Sequence, residues 1–187
     1  MALKATIFKA LLQVADMDSH HYADHTLTLA RHPSETDERM MVRLLAFALH
    51  ANDALQFGNG LSTDDEPDLW QKDLTGAIEL WVDVGLPDER EVRKACGRAA
   101  QVVVYLYGTG AGIWWQQNHA RLTALRNLAV LQLPVDATRS LAALAARSMK
   151  LQCSIQDGEA LVADGESSVR VQPEVLMSGV GATAQRG

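Results

Sequence analysis

The chain has 187 residues, 48% hydrophobic and 21% charged, which is enough apolar mass for one globular domain with its own core. Seventeen Lys and Arg stand against 23 Asp and Glu, and the formal net charge of −6 argues against a protein that coats nucleic acid by bulk electrostatics. The longest nearly unbroken apolar stretch, Met40 to Leu49, contains Arg43 and is about half of the roughly 20 residues a bilayer requires, so no membrane span is expected.

In the N-terminal segment, Met1 to Lys9, Lys4 and Lys9 interrupt the apolar residues and no small-residue cleavage site follows a greasy run. A secretory signal is therefore not indicated, and the expected compartment is cytoplasmic. Residues 3–15 and 21–31 alternate roughly, with Asp16-Met17-Asp18-Ser19 as turn chemistry between them, and predict a β-hairpin. His20, His21 and His25 fall in this hairpin and His32 just beyond it. On an extended strand His21 and His25 share a face but stand too far apart to hold one ion without a sharp bend, so a solvated hairpin is the plainer reading. Ser34 and Asp37 form an N-cap pair for a helix over about Glu35 to Ala51, with Met41, Leu44, Leu45, Ala48 and Leu49 as its core stripe. Glu38 leads that stripe on the same side, as a ligand or as a partner of the helix dipole.

Gly58-Asn59-Gly60 reads as a turn, and the polar loop Thr63 to Pro67 leads into a short strand at Asp68-Leu69-Trp70. The clearest strand is Ala77 to Val84: period two puts Ile78, Leu80, Val82 and Val84 on one face, and Glu79, Trp81 and Asp83 on the other. Leu86-Pro87-Asp88 ends it and caps a helix over about Glu89 to Ala100, where Arg90, Lys94 and Arg98 form a basic stripe beside Val92, Ala95, Cys96 and Ala99. Val102 to Tyr107 has the continuous apolar character of a strand buried on both faces. After Gly108-Thr109-Gly110-Ala111-Gly112 comes a helix with Trp114, Trp115, Gln116 and Gln117. Leu128 to Leu133 reads as a strand and Asp136 to Ser148 as an alanine-rich helix. Turn signals at Asp157-Gly158 and Asp164-Gly165 imply a three-stranded meander over Met149 to Val175, and residues 177–187 read as a disordered tail. The sum is a single α/β domain over residues 1–176: a mixed β-sheet flanked by helices, with an N-terminal hairpin and a C-terminal meander.

Charge is unevenly spread. Asp64 to Glu91 holds ten acids against Lys72 and Arg90, while Val92 to Lys150 holds eight cations against Asp136 alone. That pattern suits a metal-binding acidic centre beside a surface for a polyanion, or two solvated faces that pair with each other. The first candidate for chemistry is Asp68, Glu79 and Asp83, with Glu38 and Lys94 in support. Cleaving a phosphodiester requires the attacking water to lose a proton and the leaving oxygen to be stabilised, and Mg²⁺ or Mn²⁺ held by carboxylates meets both needs. A lysine nearby can position the nucleophile. Glu79 and Asp83 are four strand residues apart, roughly 13 Å between Cα atoms, so both reach one site only if the strand twists or one is peripheral. Asp68 and Glu79 rank together, with Asp83 close behind, and a shared ion requires the first two within about 5 Å of each other. Solvent-facing strand acids are the alternative.

Gly108 to Gly112 stands where a dinucleotide-binding turn would, but the third glycine of that fingerprint falls on Ile113 and no acid follows at the right distance, so a plain strand-to-helix connection is the better reading. Of the adjacent Trp114 and Trp115, one is expected to be core. Cys96 and Cys153 have neither CxxC spacing nor a His cluster and read as reduced core thiols.

Met1 to Ile7, Leu27 to Thr36, Glu38-Arg39-Met40-Met41, Asp64 to Trp70, Leu80 to Arg90, Arg93-Lys94-Ala95-Cys96 and Ile113-Trp114-Trp115-Gln116-Gln117 resemble the YaeQ family of bacterial proteins over about residues 1–175. That family is similar in fold to the PD-(D/E)XK nuclease superfamily, which implies a restriction-endonuclease-like core. Under this resemblance Pro67-Asp68 matches the PD element, Glu79-Leu80-Trp81 matches the (D/E)XK strand, and Glu38 stands where the first core helix supplies an acid. Trp81 occupies the lysine position, with Lys94 as a migrated replacement. The implied function is a metal-dependent phosphodiesterase or nuclease with a variant site. Asp68, Glu79, Asp83 and Glu38 would hold Mg²⁺ or Mn²⁺, with Arg90, Arg98 and Gln116 on the substrate, and a monomer would act on nucleic acid. The alternative is a non-catalytic nucleic-acid-binding or regulatory protein on the same fold.

Overall fold

The structure is a computed structural model that describes residues 4–59 and 65–179. Its elements in chain order are β1 (Thr6–Asp16), β2 (His21–Arg31), α1 (Asp37–Leu49), β3 (Leu55–Phe57), β4 (Leu69–Lys72), β5 (Ile78–Val84), α2 (Glu89–Cys96), β6 (Ala99–Leu106), α3 (Ala111–Leu122), β7 (Leu128–Gln132), α4 (Val135–Ala142), β8 (Ser148–Gln156), β9 (Glu159–Ala163), β10 (Ser168–Val171) and β11 (Glu174–Met177).

The strands form two mixed sheets, where the sequence pattern suggested one. One sheet has the order β10-β9-β8-β1-β2 and the other β11-β7-β6-β5-β4-β3. The N-terminal hairpin and the C-terminal meander both form, and they join each other: β1 runs parallel to β8 from Lys9↔Ser148 to Asp16↔Ile155. Burial explains the division. In β1 every second residue (Phe8, Ala10, Leu12, Val14) is buried, whereas β6 is buried continuously from Val102 to Leu106. Strands with one apolar face suit a sheet open to water on one side, and a continuously apolar strand suits a sheet covered on both.

The second sheet is that covered sheet. Its parallel pairs β5–β6 and β6–β7 need crossovers, which α2 and α3 supply. These helices cover one face with Val92, Ala95, Ala111 and Leu122, packed with Trp81, Val102, Val104 and Leu106. The other face carries Leu80, Val82, Val84, Val103 and Tyr105, packed against α1, α4 and the inner face of the first sheet. α1 lies between the sheets and is buried all round from Met40 to Ala48, Arg43 included, so the predicted stripe is only part of its apolar surface.

Element ends differ where strand pairing competes with helix propensity. The N-cap of α1 is Thr36, whose Oγ1 accepts the Arg39 N–H at 3.1 Å, while the Ser34 hydroxyl turns to His32 Nδ1 at 2.7 Å. α2 stops at Cys96 because Ala99 already pairs with Ile78, and α4 stops at Ala142, short of Ser148, which pairs with Lys9. The short edge strands β3 and β11 were not foreseen. β11 returns the chain to β7 through Met177, where the pattern suggested the tail begins, and residues 180–187 of that expected tail lie outside the described residues. Among the described residues no helix is long and apolar enough to cross a membrane.

One irregularity matters for the site. Against β4, Gln71 pairs with Leu80 but Lys72 pairs with Ile78, so Glu79 is an extra residue with no partner across the ladder. The predicted face of Glu79, Trp81 and Asp83 is broken there: Ile78, not Glu79, packs with the Trp81 cluster.

Candidate functional site

Asp68 sits one residue before β4, and because Leu69 pairs with Val82, it lies beside Asp83 near the end of β5. Both are buried, at 4% and 8% exposure. Asp68 N–H donates to Asp83 Oδ1 at 3.4 Å, the Val84 N–H donates to Asp68 Oδ2 at 2.9 Å, and the Trp81 indole N–H donates to Asp83 Oδ2 at 2.8 Å. Arg39 reaches across from α1 and donates Nη2 to Asp68 Oδ1 at 2.8 Å.

Arg39 is itself held. Glu35 Oε1 accepts from Arg39 Nη1 at 3.1 Å and from Arg43 Nε at 2.7 Å, and Arg43 Nη2 donates to Glu35 Oε2 and to the Ala30 carbonyl. A chain of charge-assisted bonds thus runs from β2 through α1 to Asp68. Burial works against the charge of Arg39, but Asp68 and Glu35 together raise its pKa. Asp83 receives only neutral donors. Burial first, and the charge of Asp68 second, push its carboxyl up to about 6, with the Trp81 N–H pulling the other way.

Arg39, Asp68, Trp81, Asp83 and Val84 line a cleft of about 430 Å³ together with Glu66, Gly85, Leu86, Asp88, Glu91 and Tyr107. Glu91 Oε2 is buried and has no hydrogen-bond partner among the described residues. Buried carboxylate oxygens are normally satisfied, so an orphan among acids is a position where a cation would be stabilised. Chemically the cleft offers a carboxyl poised to exchange a proton near neutrality, a carboxylate fixed by an arginine, and one uncommitted carboxylate oxygen.

The other residues singled out from sequence fall as follows. Glu79 is exposed at the bulge and accepts Gln71 Nε2 at 2.6 Å, while Gln71 also accepts from Asn52 just beyond α1. Four residues along β5 separate it from Asp83, roughly 13 Å, so Asp83 and not Glu79 is the neighbour of Asp68. Glu38 faces α4 and accepts the Thr138 hydroxyl at 2.7 Å. Lys94 on α2 and Arg98 on the turn after it do not line the cleft and both pair with the exposed Asp65: Lys94 Nζ is 3.7 Å and Arg98 Nη1 3.8 Å from its carboxylate, and the Arg98 guanidinium also lies 5.2 Å over the Trp81 ring. Arg90 lines a second, open hollow of about 640 Å³ between α2 and α3, with Trp114 and Arg121. Gln116 is exposed on α3. Trp114 and Trp115 are both half-buried against one cluster. Gly108 takes a positive φ of 86°, and the Ala111 N–H bonds the Gly108 carbonyl, as in a simple strand-to-helix turn. Among the described residues no three His, Cys, Asp or Glu side chains are gathered as a ready metal cluster.

Sequence reasoning missed Glu35, Arg39, Glu91 and Tyr107. For two of them a signal existed: Glu35, Arg39 and Arg43 are spaced by four, and the last interrupts an otherwise apolar run.

The model of the family described as YaeQ protein matches residues 1–173. The YaeQ protein of Escherichia coli strain K12 is 48% identical over 172 residues, 91% of this chain and 95% of its own length. That of Salmonella typhi is 46% identical over 173 residues, 92% and 96% of the two chains. The crystal structure of YaeQ from Xanthomonas axonopodis pv. citri superposes with a TM-score of 0.89 at 52% identity, covering 93% of this chain and 99% of that one. YaeQ from Pseudomonas syringae gives a TM-score of 0.89 at 35% identity, covering 93% and 97%. With the family model spanning nearly all of the described fold, and relatives and structures agreeing along almost their full lengths, the chain belongs to the YaeQ family.

Proposed function

We propose that the cleft over β4 and β5 is a divalent-metal and phosphodiester site, a variant of the PD-(D/E)XK arrangement on a restriction-endonuclease-like core. The observation that carries this reading is the buried pair Asp68 and Asp83, adjacent in one cleft with Asp83 raised to about 6. Two carboxylates that repel each other in a partly closed site are stabilised by a shared cation. Asp68 keeps the place after Pro67 that the resemblance gives it, and Asp83 takes the role expected of Glu79. Asp68 and Asp83 would hold Mg²⁺ or Mn²⁺, and the orphan oxygen of Glu91, in the same cleft but not gathered with them, would have to turn in to become a third oxygen ligand. A bound ion of this kind polarises a phosphoryl oxygen and eases deprotonation of water.

The chain's own groups supply the rest. Without the ion the Asp83 carboxyl holds its proton up to about pH 6, so metal binding would displace that proton and should strengthen as pH rises through this range. Arg39 fixes the direction of Asp68 without reaching the substrate. Arg98 and Lys94 meet backbone phosphates of a nucleic acid at the flank of the acids, and Arg90 extends the same basic edge. A second reading, a non-catalytic nucleic-acid-binding or regulatory protein, is favoured by one feature: Arg39 and the Val84 N–H already engage both oxygens of Asp68.

Calorimetric titration of the chelator-stripped protein with Mn²⁺ separates the two. Under the first reading one ion binds, binding is lost in Asp68→Asn, Asp83→Asn and Glu91→Gln, and it persists in Glu79→Gln. No binding at millimolar Mn²⁺, or loss in Glu79→Gln alone, removes the metal-dependent reading and leaves the binding module. Salt-dependent retention of single- or double-stranded DNA and RNA, weakened in Arg98→Ala, would then be the measurement that supports it.

A further inference from the structure

The hairpin histidines do what strand spacing alone seemed to forbid. The β1–β2 register runs unbroken from His21↔Asp16 to Arg31↔Thr6, so no backbone bend brings His21 and His25 together. Their side chains lean toward each other along the strand instead, and the two Nε2 atoms are 3.0 Å apart with ring centroids at 5.3 Å. The rings therefore meet Nε2 to Nε2, as donor and acceptor of one proton.

We propose that His21 and His25 form a bis-imidazole site for a divalent transition ion of the Zn²⁺, Ni²⁺ or Cu²⁺ class, distinct from the acidic cleft. Imidazole nitrogen is the preferred neutral ligand of these ions, whereas Mg²⁺ and Mn²⁺ favour the oxygens of Asp68 and Asp83. With metal–nitrogen bonds of about 2.05 Å, two nitrogens on one ion lie about 2.9 Å apart at a right angle and about 3.3 Å apart at the tetrahedral angle. The observed 3.0 Å falls between these values. Replacing the shared proton by a metal requires each ring to hinge by about 35–45° so that the lone pairs converge, a side-chain movement that leaves the strand in place.

The surroundings favour a cation. The His25 ring packs edge-on against Phe47, 5.2 Å between centroids, which limits its freedom before binding. Phe47 lies in the last turn of α1, the partially negative end of the helix, and that turn carries no Lys or Arg. Asp53 and Asp24 add negative charge felt at His25, while burial and His21 lower its pKa, so the ring is a neutral ligand at neutral pH. Two protein ligands leave the remaining coordination positions to water.

The test uses the full chain without an affinity tag, stripped by chelator and titrated with Zn²⁺ and with Ni²⁺ near pH 7.5, while ¹H–¹⁵N spectra follow the imidazole resonances. The expected result is one ion per chain, simultaneous shifts of the His21 and His25 Nε2 signals, and affinity lower by at least about tenfold in His21→Gln and in His25→Gln. Binding should be unchanged in His20→Gln, His32→Gln and Asp83→Asn. Wild-type spectra in which only one of the two rings responds, unchanged affinity in either hairpin variant, or no binding at millimolar metal would each overturn the site and leave a hydrogen bond alone. Because the wild-type spectra carry the assignment, a variant that folds poorly does not protect the proposal, and Mn²⁺ binding at the acidic cleft can fail or succeed independently.

Discussion

Replacing Asp83 by Asn should make the protein more stable at alkaline pH and hardly change it at acid pH. Burial and the charge of Asp68 raise the Asp83 carboxyl from 3.8 to about 6. Between those values the unfolded chain has lost this proton and the folded chain still holds it, so the folded state is favoured at low pH and loses ground as pH rises through the window. A gap of about two units corresponds to about 3 kcal/mol, most of which falls between pH 4 and pH 8. Asn keeps the acceptor for the Trp81 indole and removes the charge that Asp68 opposes. Urea denaturation of both proteins near pH 4 and near pH 8 measures the effect, and the difference between them isolates position 83 because every other titrating group is common. The stability of Asp83→Asn relative to wild type should rise by about 2–3 kcal/mol over that range. A difference that does not vary with pH would show that Asp83 is ionised throughout and would refute the account of the pair.

His50 should act in the opposite sense. Burial against Tyr105, whose hydroxyl is 2.7 Å from Nε2, lowers its pKa from 6.5 to about 4. The unfolded chain then binds a proton that the folded chain refuses, and stability falls as pH drops through that window by up to about 3 kcal/mol. Wild-type stability between pH 4 and pH 6.5 should therefore be nearly level from these two groups, and the Asp83→Asn variant should uncover the His50 loss; an added His50→Gln change that leaves the acid limb untouched would contradict this. Glu35→Gln should cost about 3–5 kcal/mol in chemical denaturation, because Arg43, 1% exposed, is left buried without its counter-charge; a loss below about 1 kcal/mol would mean water reaches the guanidinium. Gly58→Ala should destabilise by about 2 kcal/mol, since its Cβ would stand 2.0 Å from the Pro67 carbonyl oxygen. Main-chain atoms would have to move one residue from Asp68, so Mn²⁺ affinity should fall with stability, and an unchanged melting temperature would refute the close approach.

Much of the fold was legible because period and burial agree locally. The hairpin, the buried strand at Val102 and the strand at Ile78 all announce themselves through alternation or its absence. Division into two sheets was not legible, since β1 and β8 pair across more than a hundred residues and nothing in either strand names the other. The site was half legible for a similar reason. Asp68 and Asp83 were both singled out, but one bulged residue moved Glu79 off the face that period two assigns to it, and a bulge leaves no compositional mark here. His21 and His25 illustrate the complementary limit: Cα spacing bounds where backbones lie, while two long side chains leaning together recover several ångströms.

Trp81 ties these observations together. A lysine at this position would direct an ammonium toward the two acids and hold both ionised. The indole offers Asp83 a single neutral N–H, and the Arg98 guanidinium lies 5.2 Å over the ring, attracted to the aromatic face and paired with Asp65 rather than with Asp83. Among the described residues the one cation lining the cleft is Arg39, and it is committed to Asp68 and Glu35. The environments of the two acids thereby diverge: one faces a guanidinium, the other faces burial and its neighbour's charge. Such divergence is how paired carboxyls come to hold different roles at one pH. Exchanging Trp81 for Phe would delete the one side-chain donor that lowers the Asp83 carboxyl and leave only the longer bond from the Asp68 N–H, so its titration, followed by the ¹³C shift of the carboxyl carbon, should move above that of wild type. A midpoint that stays in place would mean that solvent, rather than the indole, already stabilises the Asp83 charge.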